Sequence, residues 1–192
     1  MRLDVAMRLR ESHSAEPRPR STASGLGLAR ACLWLLAQTG RAAYLGSMVS
    51  YDLERFVRAQ DPVYGRVLAE LRAGRKRSHF IWFVFPQLLG LGSSTMAQTY
   101  ALRSLEEAVA YLRHPVLGPR LTESTHAVLS VRDTPLTAIL GSVDAMKFRS
   151  SMTLFWRASG GEDPFHTALE RFYSGSPDPL TLELLDERGE TR

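Results

Sequence analysis

The sequence predicts an all-α fold, a multihelical array of about seven or eight short helices around a central aromatic segment. Three observations predict it. Helix-start signals recur along the chain, few segments show the apolar-polar alternation of a strand, and proline follows an aspartate or threonine at several of the starts. Sharp chain reversals of this kind favour an array of short helices over a regular four-helix bundle.

The first two helices are predicted from residue 50 onward. Residues 50–60 place Leu53, Phe56 and Val57 on one helical face. Asp61 and the following proline supply an N-cap acceptor and a first helical residue, and Gly74 is a C′ residue suited to end that second helix.

Residues 80–85 form the continuous apolar segment (FIWFVF), which suits a buried strand or a buried helix on periodicity alone. We favour a central helix that ends at Pro86. Trp82 and its aromatic neighbours are expected in the core first and as ligand-stacking residues second. Gln60 is expected either to join buried elements or to contact a ligand.

The later helices have similar start signals. Ser104 with Glu107 three residues on has the capping-box form, and this motif accounts for Glu107. Further starts are predicted at Thr134-Pro135, Asp163-Pro164 and Asp178-Pro179, and further helices within residues 95–102, 122–132 and 143–157.

Charge divides the chain at residue 47. Residues 1–47 hold seven arginines and three acidic residues, a net charge of +4, whereas residues 48–192 hold 17 basic and 17 acidic residues. The single helical domain predicted for residues 48–192 is therefore formally neutral, which argues against a nucleic-acid partner. Residues 1–47 are interpreted as translated sequence upstream of a true start at Met48, as a disordered basic leader, or as a targeting segment.

The only cysteine, Cys32, lies in that leader. The domain therefore offers no internal disulfide, no cysteinyl metal site and no thiol nucleophile, and a cytoplasmic location fits. The leader's longest apolar run has seven residues, residues 31–37. A membrane-spanning helix needs roughly 20, so no membrane association is expected.

Reaction-defining motifs are absent from the sequence. It has no His-Glu-x-x-His, no Gly-x-Ser-x-Gly and no phosphate-binding loop of the Gly-x-x-x-x-Gly-Lys type. We therefore expect no metal and no cofactor, and the sequence leaves open whether the protein is an enzyme.

Three stretches closely resemble the signature of an uncharacterised bacterial domain family, the domain of unknown function 1810. They are residues 75–87 with 90–94, residues 107–121, and residues 147–155. The resemblance covers about residues 50–186 and implies the all-helical fold of a mycobacterial member, although Phe80 stands where the family usually has tryptophan. It implies no activity. The calpastatin label that some members carry implies a repetitive disordered inhibitor, which this aromatic, repeat-free sequence excludes.

Two groups of residues are candidates for binding an anion. Gly90, Gly92 and Ser93 precede a helix, so their backbone amides could hold a phosphate or carboxylate; the alternative is an ordinary turn with a serine N-cap. Lys147, Ser150 and Ser151 share one helical face; the alternative is an exposed lysine and a serine that bonds back to the helix.

Other candidates are single residues with a structural alternative. Lys76 and His79 follow a helix C-terminus, where cations also oppose the helix dipole. His114 either closes a helix or acts as a general base. The complete set of candidate ligand-binding residues is Lys76, His79, Gln87, Gly90, Gly92, Ser93, His114, Arg120, Lys147, Ser150 and Ser151.

Three functions follow from these candidates. The first is binding of a small phosphate- or carboxylate-bearing metabolite. The second is a protein-protein interaction module without catalysis, which would present an apolar groove to a protein partner. The third is cleavage of a nucleotide-linked sugar, with His114, Glu107 and Glu123 as acid-base candidates.

Overall fold

The computed structural model describes residues 50–161 and 164–190, which contain ten helices and no strand. The helices are α1 Glu54–Gln60, α2 Tyr64–Arg72, α3 Ile81–Val84, α4 Thr95–Thr99, α5 Leu105–Arg113, α6 Leu117–Ser130, α7 Leu136–Leu140, α8 Ser142–Ser159, α9 Phe165–Tyr173 and α10 Pro179–Glu187. The all-α prediction is confirmed. The described residues hold ten helices, against a predicted total of about seven or eight, and three of the ten, α3, α4 and α7, have only four or five residues.

Some predictions lie outside the described residues. They concern residues 1–47, Met48, Cys32 and Asp163. The domain limits 48–192 also stay a prediction.

Three helix ends follow the local signals in the sequence. Gly74 has φ +64°, and the amide of Arg75 donates to the carbonyl of Glu70, which closes α2 as a Schellman motif. The hydroxyl of Ser104 accepts from the third amide of α5, and Asp178 accepts from the third amide of α10.

Three other helix starts differ from prediction, because tertiary or neighbouring groups replace the expected cap. α2 begins at Tyr64, since the carboxylate of Asp61 accepts from Arg120 at 2.8 Å instead of capping. The hydroxyl of Thr134 donates to a preceding carbonyl, so α7 begins after Pro135 without a side-chain cap. α6 starts at Leu117, well before Thr122, because the Nδ1 atom of His114 accepts from the amides of Val116 and Leu117 at the start of that helix.

The core forms around α8 and the aromatic segment. α8 packs against α5, α7, α9 and α10. Residues 80, 81, 83, 84 and 85 are buried, and Phe85 meets Phe148 of α8 edge-on with ring centroids 4.9 Å apart. Tyr111 of α5 packs against Phe155, also of α8, with ring centroids 5.4 Å apart.

A buried amide holds the aromatic segment in place. Gln60 donates to the carbonyl of Phe83 at 2.7 Å, and its amide nitrogen lies 3.0 Å from the hydroxyl of Tyr111. The structure therefore supports the structural interpretation of Gln60, which joins α1 to α3 and α5.

Candidate ligand-binding site

A pocket of about 530 Å³ opens beside the first half of α8. Its walls come from α7, from the first half of α8, from the segment ahead of α4, from the end of α9 and from the start of α10. The lining residues are Thr137 of α7, residues 142, 143, 145–147, 149 and 150 of α8, Gln87 and Leu91, Tyr173, Asp178 and Leu180. Its size falls in the range of small-molecule sites, roughly 300 to 1,000 Å³.

Two lysines meet at one carboxylate next to this pocket, and one of the two, Lys147, lines it. The chain contains 22 arginines and only two lysines, Lys76 and Lys147. The Nζ atom of Lys76 lies 2.6 Å from one oxygen of Asp144, and that of Lys147 lies 2.9 Å from the other. The side chain of Lys76 is 9% exposed, that of Lys147 is 23% exposed and that of Asp144 is 16% exposed. We call these three residues the two-lysine cluster.

Aromatic rings lie beneath both ammonium groups. Lys76 Nζ is 5.1 Å from the ring centroid of Phe80, and Lys147 Nζ is 4.7 Å from that of Trp82. Both distances are within the range of a cation–π attraction.

The loop between α2 and α3 positions Lys76. The amide of Lys76 donates to the carbonyl of Ile139 at 2.8 Å. The carboxylate of Glu70 accepts from the amides of Arg77 and Ser78 and from the Ser78 hydroxyl. Burial acts to raise the pKa of Glu70, and these hydrogen bonds outweigh it, so the pKa lies below its ordinary value.

Hydrogen bonds and neighbouring charges also keep Asp144 in its carboxylate form. Its partial burial acts to raise its pKa, and the hydrogen bonds and charges of Lys76 and Lys147 outweigh that effect. The pKa of Asp144 is therefore lowered, and the two-lysine cluster carries two positive charges and one negative charge.

Arg149 and Tyr173 fix the far wall. The guanidinium of Arg149 donates to the carbonyls of Ser176 and Pro177, both at 3.2 Å, and lies 5.3 Å from the ring centroid of Tyr173. The Tyr173 hydroxyl donates to the carbonyl of Ala145 at 2.5 Å, and burial raises its pKa.

Three predicted residues line the pocket: Gln87, Lys147 and Ser150. Gln87 accepts from the amide of Leu102 through its backbone carbonyl, while its side chain makes no hydrogen bond within the described residues. Ser150 donates to Asp178 at 3.1 Å and ties α8 to the cap of α10. Lys76 reaches the same cluster through Asp144.

Ser151, one helical turn after Lys147, faces the core rather than the pocket. It is fully buried, and its hydroxyl has no hydrogen-bond partner among the described residues. The Nε1 atom of Trp82 is likewise buried and unpartnered in that part of the chain.

The glycine loop is explained by close packing. A Cβ on Gly90, whose φ is +112°, would lie 3.3 Å from Leu184, and a Cβ on Gly92 would lie 2.7 Å from the Cβ of Ala97. Ser93 is exposed, and the neighbouring Ser94 caps α4, which has five residues. The turn with a serine N-cap, given above as the alternative, matches this geometry, and anion binding by the loop stays a prediction.

The remaining candidates lie away from the pocket. His79 is exposed. His114 lines a separate open groove of about 450 Å³ that has no residue in common with the pocket. Arg120 pairs with Asp61 at 2.8 Å and lies over the ring of Tyr64 at 4.7 Å.

Sequence reasoning missed the carboxylate at the centre of the cluster and the apolar lining. Asp144 lies three residues before Lys147, a spacing at which side chains of a helix meet. The scarcity of lysine was a second available signal. Val143, Met146 and Tyr173 had no local signal of their own.

Residues 50–161 and 164–190 contain neither a group of side chains suited to a metal ion nor a membrane-spanning helix. No group of three histidine, cysteine or acidic side chains could hold a metal ion there. Nor is any helix in that part of the chain long and apolar enough to span a membrane.

Fold and pocket together define a class, an all-α domain of short helices with a ligand-sized pocket beside its longest described helix. Residues 50–185 match the family described as "Protein of unknown function (DUF1810)", and the chain belongs to that family. The conserved hypothetical protein Rv1873 from Mycobacterium tuberculosis has a similar crystal structure, with a TM-score of 0.69 and 53% identity over 71% of this chain and 97% of that chain. Among curated proteins, no sequence matches this chain.

Proposed function

We propose that this domain binds a small metabolite through a carboxylate or phosphate group, in the pocket beside the two-lysine cluster. The observation that carries the proposal is the convergence of both lysines of the chain on Asp144, next to the pocket that Lys147 lines. A cytoplasmic location is part of the proposal and fits a domain without cysteine from residue 48 onward.

Charge favours an anionic ligand. The charged residues that line the pocket are Lys147, Arg149 and Asp178, which leave one net positive charge, and the adjoining pair of Lys76 and Asp144 adds none. An ammonium group has three donors, and Lys147 directs one of them to Asp144. Its remaining donors are available to an incoming oxyanion.

The polar groups of the pocket suit binding better than catalysis. Asp178 already accepts from the Ser150 hydroxyl and from both the amide and the hydroxyl of Thr181. These bonds, all to the Oδ2 atom of Asp178, give Ser150 and Asp178 a structural role at the start of α10. We therefore propose no reaction.

A protein-interaction role is the second candidate. It is favoured by the exposure of Val143, Met146 and Leu180, which are 57%, 63% and 60% exposed. Clustered apolar side chains at a surface mark either an interface or a ligand groove.

Selective ¹⁵N-lysine labelling tests the proposal on the full chain. Two lysines give two backbone amide signals, both from the two-lysine cluster. Nucleotides, sugar phosphates and organic acids are titrated in turn, with a parallel thermal-shift screen. A ligand at about 100 times its Kd should stabilise the fold by about 2.7 kcal/mol.

The matched variants are Lys147→Gln and Arg72→Gln. Lys147→Gln leaves Asp144 paired with Lys76, so the site loses one charge without leaving a carboxylate unpaired. Arg72 forms an exposed ion pair with Glu123, away from the pocket. Ligand binding should be lost in the first variant and kept in the second. If no anion moves either lysine signal, the proposal is wrong.

A further inference from the structure

We propose that the ligand is an amphiphilic monoanion, with one acidic head at Lys147 and an apolar body along the first turns of α8. This inference rests on the proposed function of the same pocket and adds the class of ligand. The inference depends on the arrangement of exposed apolar side chains and charged side chains around the pocket.

The apolar half of the pocket is exposed to solvent. Five large apolar side chains are exposed among the described residues, and three of them, Val143, Met146 and Leu180, line this pocket. Val143 and Met146 are three residues apart and lie one above the other on α8, while Leu180 approaches from α10. Contact with an apolar ligand would remove this surface from water.

The acidic head has a defined place relative to that surface. Lys147 lies four residues after Val143, which is about 6 Å along a helix axis. Its ammonium is oriented by Asp144, and the side-chain amide of Gln87, which makes no hydrogen bond to residues 50–161 or 164–190, lines the same pocket. An ammonium and an amide can donate to the two oxygens of a carboxylate.

The ligand should carry a single negative charge. The side chains around the pocket leave one net positive charge, and the guanidinium of Arg149 is engaged by the carbonyls of Ser176 and Pro177. A second negative charge on the ligand would face Asp144 and Asp178 without a cation to balance it.

Four probes test the inference by lysine-amide titration of the full chain: octanoate, acetate, 1-octanol and inorganic phosphate. Full burial of one methylene tightens binding about fourfold. Octanoate has six more methylenes than acetate, so burial of half of them predicts about 60-fold tighter binding. Inorganic phosphate, which is partly dianionic at neutral pH, should bind more weakly than octanoate.

Variants of the apolar lining separate the two halves of the ligand. Met146→Ser and Leu180→Ser should weaken octanoate at least fivefold and leave acetate unchanged. Met96→Ser is the matched control, because Met96 is an exposed methionine of α4 outside the pocket. Lys147→Gln should weaken octanoate and acetate alike.

The outcomes distinguish this inference from the proposed function. Equal affinity for octanoate and acetate, lost in Lys147→Gln, would overturn the amphiphilic ligand and leave anion binding standing. Equal affinity for 1-octanol and octanoate would overturn the acidic head. No movement of either lysine amide with any anion would overturn both proposals.

Discussion

Replacing Arg55 by methionine should reveal a buried ion pair that supports the fold. The Nη2 atom of Arg55 lies 2.9 Å from an oxygen of Glu107 and 2.9 Å from the carbonyl of Ala101, and its Nε donates to the carbonyl of Thr99 at 3.1 Å. The side chain of Glu107 is 2% exposed. Methionine keeps an apolar stem of similar length, so the substitution removes mainly the charge, its hydrogen bonds and the cation–π contact of the guanidinium with Phe56.

The expected loss is about 3 kcal/mol of the free energy of unfolding. Removing one partner of a buried ion pair costs about 3 to 5 kcal/mol, because the other charge is left uncompensated. We expect the lower figure, since Glu107 keeps the amide of Arg103, which donates to its second oxygen at 2.7 Å. An exposed ion pair contributes less than about 1 kcal/mol.

Urea denaturation at neutral pH, followed by far-UV circular dichroism, measures this loss. Arg72→Met is the control, because its ion pair with Glu123 is exposed. The double variant Arg55→Met with Glu107→Gln should recover part of the loss, since no buried charge remains. Equal losses of less than about 1 kcal/mol for Arg55→Met and Arg72→Met would refute the reasoning.

Three further predictions concern a turn, a cap and a titrating group. Gly74→Ala should cost about 1 to 2 kcal/mol, because φ is +64° and the new Cβ would lie 2.8 Å from Val131; an unchanged urea midpoint would contradict this. Asp178→Ala should cost about 1 to 2 kcal/mol by removing the N-cap of α10, whereas Asp178→Asn should keep most of the stability in the same assay. Asp144 has a lowered pKa in the fold, so its contribution is complete above its ordinary value of 3.8 and is lost as the pH falls through the folded value. Between about pH 5 and pH 2, urea midpoints should therefore fall more steeply for the wild type than for Asp144→Asn, and parallel curves would exclude this contribution.

The sequence predicted those parts of the fold that depend on neighbouring residues. Gly74, Ser104 and Asp178 end or begin helices where expected, because each acts on amides or carbonyls within a few positions. Asp61 is different, since Arg120 takes its carboxylate from another part of the chain. No local pattern reports that competition.

Glu107 shows why a correct motif can still be an incomplete explanation. Its amide donates to the hydroxyl of Ser104, as the capping box predicts. Its carboxylate accepts from the amide of Arg103 rather than that of Ser104, and also binds Arg55. The motif therefore accounts for part of the role of Glu107, and the ion pair accounts for the rest.

Part of the candidate site was within reach of sequence reasoning. Helical spacing was enough to place Lys147 and Ser150 on one face, and both line the pocket. The meeting of Lys76 with Asp144 depends on how the loop after α2 folds back onto α7 and α8, which spacing does not encode. His114 and Arg120 belong to the same family-like stretch, yet one caps α6 and the other pairs with Asp61.

The choice of lysine at both positions of the cluster has a geometric reason. Elsewhere this chain uses arginine for its ion pairs with carboxylates, as in Arg72 with Glu123. A planar guanidinium is able to engage both oxygens of one carboxylate, and an arginine that did so here would leave no oxygen of Asp144 for a second cation. A compact ammonium takes one oxygen, so Lys76 and Lys147 share Asp144 from different directions, each above an aromatic ring. Sharing one carboxylate between two cations leaves one positive charge of the cluster unbalanced next to the pocket that Lys147 lines, and under the proposed function an anionic ligand would balance it.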